Sequence, residues 1–148
     1  MKANRLFIAC VAALSLAACG GGTELTAVLS GAAEKPAAVT TSASGNVTVT
    51  IDGKKLNVEG TFKDLSGNAT AAHIHGPADA NGTAGPICNL NASAATSGTI
   101  DEGTGAGTCG ALELTDAQIK DFEEGRTYVN IHTGANQGGE VRGQLNKK

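Results

Sequence analysis

Three histidines are the residues of this chain best placed to do chemistry. His73 and His75 stand one residue apart in Ala71-Ala72-His73-Ile74-His75-Gly76-Pro77, and His132 lies in Tyr128-Val129-Asn130-Ile131-His132-Thr133. Imidazoles at positions i and i+2 of a β-strand project in parallel, ~6.5–7 Å apart at the backbone, and can meet on one ion. A third imidazole from a neighbouring strand completes a three-histidine set suited to one copper ion, with zinc as the alternative, and an open coordination position. The competing reading is that these are ordinary surface or hydrogen-bonding histidines, because a His-x-His pair alone is a weak motif. The third histidine, on a strand of the same pattern, adds weight to the metal.

The elements that position these side chains are strands. Ala72 and Ile74 are apolar and are expected to face a core, which turns His73 and His75 to the opposite face; Val129 and Ile131 do the same for His132. Residues 127–133 and 139–145 read as a hairpin around Gly134-Ala135-Asn136-Gln137-Gly138. Pairing His132 with Glu140 sets Asn130 opposite Arg142 and Tyr128 opposite Gln144, and a slip of two residues would change partners without changing faces. Tyr128, Asn130, His132, Glu140, Arg142 and Gln144 are therefore expected on one outer polar face. There Glu140, with Asn130 and Arg142, would surround the ligands, and Glu140 would fix an imidazole by accepting its second N–H. The plainer role for Glu140 and Arg142 is an exposed ion pair of little worth. The three rings meet only if the strand of His73 lies beside Tyr128–Thr133.

Elsewhere the chain is punctuated for β-structure. Residues 24–30 read as a strand. Asn46-Val47-Thr48-Val49-Thr50-Ile51 alternates strictly, Asp52-Gly53 signals a hairpin turn, and Leu56, Val58, Gly60 and Phe62 continue on a returning strand. Residues 69–75 and 86–90 read as further strands, 76–85 as a loop, and 91–109 carry no clear pattern. Thr115-Asp116-Ala117-Gln118 fits a capping box opening a short helix over 115–124, with Gly125 as its stop.

Length favours one domain: 148 residues, with 21 glycines, 3% aromatics and no tryptophan. The first residues read as an export signal. Lys2 and Arg5 precede the apolar run Leu6–Leu16, too short to span a bilayer, and the run ends in Leu16-Ala17-Ala18-Cys19. This ending resembles the lipobox of bacterial lipoproteins, which implies a signal peptide over 1–18, lipidation of Cys19 and a membrane anchor there; an ordinary secretory signal is the alternative. Gly20, where an Asp would retain the protein at the inner membrane, looks like sorting to the outer membrane in a two-membrane bacterium. Residues 19–23 then form the lipidated cysteine and tether, and 24–148 the domain. Removing Lys2 and Arg5 from 11 basic residues leaves 9 against 14 acidic. With no basic patch and few rings to stack on bases, nucleic-acid binding is not expected. Of the cysteines left after export, Cys88 and Cys109 most simply form a disulfide; a thiolate metal site is the alternative, without a CxxC to support it.

Taken together, Leu29-Ser30-Gly31-Ala32-Ala33-Glu34, Ala71–Pro77, Gly125–Thr133 and Gly138-Gly139-Glu140-Val141-Arg142-Gly143-Gln144-Leu145 resemble the CHRD domain, a module recognised in chordin and common in exported bacterial proteins. The resemblance spans essentially the whole mature chain. It implies an all-β fold, an immunoglobulin-like or superoxide-dismutase-like Greek-key sandwich or barrel with one short helix, and no settled activity. Chordin-like company also implies a protein or glycan partner as an alternative function. A looser similarity to copper/zinc superoxide dismutase would match His73, His75 and His132 to copper ligands, Cys88–Cys109 to its disulfide and Arg142 to its arginine. No histidine is left for a bridging ligand or a zinc subsite, so a dismutase-like enzyme is the least favoured reading.

Overall fold

A computed structural model describes residues 22–148. Residues 1–18, read above as a signal peptide, and Cys19, read as the lipidation site, lie outside the described residues. Nine strands follow: β1 (Thr23–Ser30), β2 (Ser44–Asp52), β3 (Lys55–Lys63), β4 (Ala69–His75), β5 (Pro86–Ala92), β6 (Gly98–Asp101), β7 (Tyr128–Thr133), β8 (Val141–Gln144) and the two-residue β9 (Asn146–Lys147). The helix α1 (Asp116–Glu123) lies between β6 and β7.

Alternation in β2 builds the wall as the residue types require. Gly45, Val47, Val49 and Ile51 are buried, while Asn46 and Asp52 are exposed and Thr48 and Thr50 half-buried. Its hairpin to β3 turns at Gly53, whose φ of +59° suits a residue without a Cβ. Hydrogen-bonded neighbours run β2-β3-β6-β5-β4-β7-β8-β1, and β1 pairs back onto β2 along its whole length. All these pairings are antiparallel, so eight strands close into a barrel, and β9 adds a short flap beside β1. Closure leaves no long open edge among these strands. The fold is thus a barrel with one short helix, within the all-β class that the residue patterns predict.

The barrel is filled by aliphatic side chains: Leu25, Leu29, Val49, Ile74, Val129 and Ile131 are all fully buried. Helix α1 opens with the expected capping box, Thr115 accepting from the Gln118 backbone while the Gln118 side chain accepts from the Thr115 backbone. Phe122 is fully buried and Ile119 packs against the same core, so α1 docks by the face the spacing indicates. The unpatterned stretch 91–109 is partly a strand. β6 is Gly-Thr-Ile-Asp with only Ile100 buried, too short for a periodic signal, yet it joins β5 to β3 and completes the wall. The Cys88–Cys109 disulfide ties the end of that stretch to β5.

Candidate metal centre

β4 and β7 are antiparallel neighbours, with Ala71 opposite His132, His73 opposite Asn130 and His75 opposite Tyr128. This is the adjacency that the three histidines need. β7 and β8 pair in the expected register, Asn130 opposite Arg142 and Tyr128 opposite Gln144. Parity then does the rest: Ala72, Ile74, Val129 and Ile131 fill the barrel, and the histidines lie on the other face of the wall.

The three rings meet there. His73 Nδ1 and His132 Nε2 are 3.0 Å apart, and the ring centroid of His73 lies 4.8 Å from that of His132 and 5.4 Å from that of His75. One ligand nitrogen from each ring falls within 4.8 Å of the others. Two nitrogens on one ion at ~2.0–2.1 Å stand at most ~4.2 Å apart, and ~3.4 Å apart at a tetrahedral angle, so the widest pair must draw in by roughly 0.6–1.4 Å.

The remaining nitrogens define the tautomers. His75 Nδ1 lies 3.0 Å from the Ala84 carbonyl, and His132 Nδ1 2.9 Å from the Gln137 carbonyl. A carbonyl only accepts, so both Nδ1 atoms carry hydrogen and both Nε2 atoms carry a lone pair. His73 Nδ1 then donates to His132 Nε2 in the metal-free protein. Backbone carbonyls thus take the orienting role that a carboxylate often has behind a metal-binding imidazole. Burial, with His132 and His75 close by, holds the His73 pKa down at about 4. Burial likewise lowers that of His75, against the opposing hydrogen bond to Ala84. Both rings are neutral near pH 7, the form that binds metal.

The polar face around the rings is not the open surface that strand parity alone suggests. Tyr128, Asn130 and Arg142 are buried, and His75 is 9% exposed. Loop 76–85 folds over them. Arg142 donates to the carbonyls of Gly82 and Asp79 at 2.8 and 3.0 Å, and Gln144 donates to the Ala78 carbonyl at 2.8 Å. The Arg142 guanidinium lies 3.5 Å from the centre of the Tyr128 ring, whose other face stacks on His75 at 4.8 Å with an interplanar angle of 3°. The strand order β4-β7-β8 puts the arginine and the imidazole on opposite sides of the tyrosine. The result is a stack that fixes the His75 plane and excludes water behind it.

Glu140 departs furthest from expectation. It lies just before β8, on the other side of the wall, and neither touches a histidine nor pairs with Arg142. Its carboxylate accepts from Thr41 Oγ1, the Ser66 backbone and hydroxyl, Thr133 Oγ1 and Asn136 Nδ2, at 2.6–3.1 Å. Burial pushes the carboxyl up, but the hydrogen bonds from Ser66, Thr133 and Thr41 outweigh it and hold its pKa at about 2. Two-residue parity fails because the chain leaves regular strand geometry before Val141, so the extrapolated face is lost.

Two participants carry no signal that local pattern reading can use. Glu34 follows a 3-10 turn (Gly31–Ala33) far away in sequence, yet it is 3% exposed and accepts from Asn130 Nδ2 at 3.3 Å. Burial raises its pKa to about 7, against that hydrogen bond and the nearby Arg142 charge. Gly139 completes the packing: a Cβ there would stand 2.0 Å from Asn130 Nδ2, and its φ is +128°.

The family model of the CHRD domain matches residues 25–145. No curated protein matches the chain. The match covers most of the sequence, including every strand from β2 to β8 and all three histidines, and the chain belongs to the CHRD-domain family.

Proposed function

We propose that this CHRD domain is a metal-binding module of the bacterial cell envelope, with copper as the preferred ion and zinc as the alternative. The ligands are His73 Nδ1, His75 Nε2 and His132 Nε2. The observation that carries this reading is three half-buried to buried imidazoles converging on one point, two of them with the outer N–H anchored on a backbone carbonyl. Such anchoring aims both Nε2 lone pairs inward, that of His132 onto His73 and that of His75 onto no partner at all, and a buried unpaired acceptor is costly to keep in a protein that binds nothing there. Imidazole nitrogen suits copper and zinc alike, and copper(II) binds a given nitrogen site more tightly. With no nucleophile and base pair among the cluster, the role is binding rather than catalysis.

The test is isothermal titration of Cu(I), Cu(II) and Zn(II) into the soluble domain and into the His73→Ala/His75→Ala/His132→Ala variant, with circular dichroism to check that both fold. Tight binding confined to the parent supports the site; equal weak binding by both removes it.

The same reading puts the domain at a membrane surface through lipid on Cys19, on the strength of Leu16-Ala17-Ala18-Cys19 after a basic and apolar leader. The full-length parent should take up labelled palmitate and partition with membranes. Equal labelling of a Cys19→Ser variant counts against the anchor.

A further inference from the structure

Two buried atoms beside the histidine cluster have no hydrogen-bond partner, His75 Nε2 and Asn130 Oδ1. Both are acceptors. His75 spends its hydrogen on the Ala84 carbonyl, so Nε2 carries a lone pair. Asn130 Nδ2 lies 3.3 Å from Glu34 Oε1 and 3.4 Å from the Gly138 carbonyl, both acceptors, which fixes the orientation of the amide and sends Oδ1 the other way.

The strand register places Asn130 among the histidines. Asn130 sits directly opposite His73 and two residues before His132 on the same face of β7. Tyr128, two residues before Asn130 on that face, is paired opposite His75. Asn130 is 3% exposed, so water does not freely supply the missing donor. Leaving a buried acceptor unsatisfied costs ~1–3 kcal/mol, and here two stand together. A cation between them would satisfy both.

We propose that Asn130 Oδ1 is the fourth donor of the metal centre, so that the ion is held by three imidazole nitrogens and one amide oxygen. This rests on the three-histidine reading above. An amide oxygen is a hard, neutral ligand, suited to a divalent ion and of little use to soft Cu(I). The oxygen therefore biases a copper site towards Cu(II). Glu34 and Gly139 act as positioning residues, one holding the amide nitrogen and the other making room for it.

The test is Cu(II) and Cu(I) affinity of the parent, Asn130→Ala and Asn130→Asp domains, together with the Cu(II) electron paramagnetic resonance spectrum and the reduction potential. Asn130→Ala is expected to weaken Cu(II) about 10–100-fold, the usual range for a metal-site partner. With Cu(I) affinity little changed, the potential then rises by about 60–120 mV at 59 mV per tenfold. Asn130→Asp keeps the oxygen, adds charge, and is expected to bind Cu(II) at least as tightly as the parent with an altered spectrum. If both variants match the parent in Cu(II) affinity and spectrum while the triple-histidine variant binds nothing, Asn130 is not a ligand and the histidine site stands. Should Asn130→Ala fail to fold, Asn130→Asp decides alone, parent-like affinity and spectrum overturning the proposal. A parent domain that binds no metal overturns both readings.

Discussion

Replacing Glu140 by Gln tests the largest reassignment of a charged residue, from a partner of the histidines to a clamp on the opposite side of the wall. Oε1 accepts from Thr41 Oγ1 at 2.8 Å and the Ser66 N–H at 2.7 Å; Oε2 accepts from Ser66 Oγ at 2.6 Å, Thr133 Oγ1 at 2.7 Å and Asn136 Nδ2 at 3.1 Å. An amide nitrogen in place of Oε1 faces the Ser66 backbone N–H, which cannot invert; in place of Oε2 it fits only if the Asn136 amide flips and the Ser66 and Thr133 hydroxyls turn. Either arrangement strands a buried donor or breaks up the network around it, at ~1–3 kcal/mol, and the remaining bonds lose their charge assistance. The sum is about 3 kcal/mol. The carboxyl pKa expresses the same hydrogen bonds as a linkage: held at about 2 against an ordinary 4.5, it corresponds to about 3 kcal/mol at 1.36 kcal/mol per unit. Because the folded-state value is depressed, this stability is present in full above pH ~4.5 and is lost as the pH falls towards 2. Urea unfolding at pH 7, 4.5, 3 and 2 should therefore show Glu140→Gln about 3 kcal/mol below the parent at neutral pH, with the gap closing in acid. Its metal affinity should match the parent's. A variant within about 1 kcal/mol at pH 7, or a gap that persists at pH 2, would refute the reasoning.

Two further outcomes follow from the same contacts. Cys88→Ser/Cys109→Ser opens a link between residues 21 apart, which at that loop length is worth roughly 3 kcal/mol; unfolding of the parent with and without reductant reads the same difference. Arg142→Met keeps bulk over Tyr128 but strands the Gly82 and Asp79 carbonyls. It is expected to cost ~2–4 kcal/mol and to speed amide exchange across loop 76–85, and unchanged exchange there would show that the loop is held by other contacts.

Much of the barrel wall is legible because its strands alternate cleanly. Ala69–His75 has the bounds that the residue pattern predicts, and β2, β3 and α1 differ from expectation by one or two residues at their ends. The direction of His73, His75 and His132 follows from Ile74 and Ile131 lying between or beside them, a consequence of two-residue periodicity that needs no tertiary knowledge. β6 is not legible because four residues with one buried side chain carry no period. Nor is the burial of the histidine face. Parity tells which side of a wall a residue occupies, but the cover over that side comes from loop 76–85 and Glu34, whose own residues alternate with nothing.

The sequence by itself determined the class of fold, the two cysteines left to pair and the three side chains with metal-binding chemistry, because these depend on residue type and on spacing within one element. Only the tertiary structure decided that β4 lies beside β7, that Ala84 and Gln137 carbonyls orient two of the rings, that Glu140 serves the opposite side of the wall, and that Asn130 Oδ1 is buried without a partner. Those facts depend on pairings between segments dozens of residues apart, where closing the barrel selects the partners that local pattern leaves open.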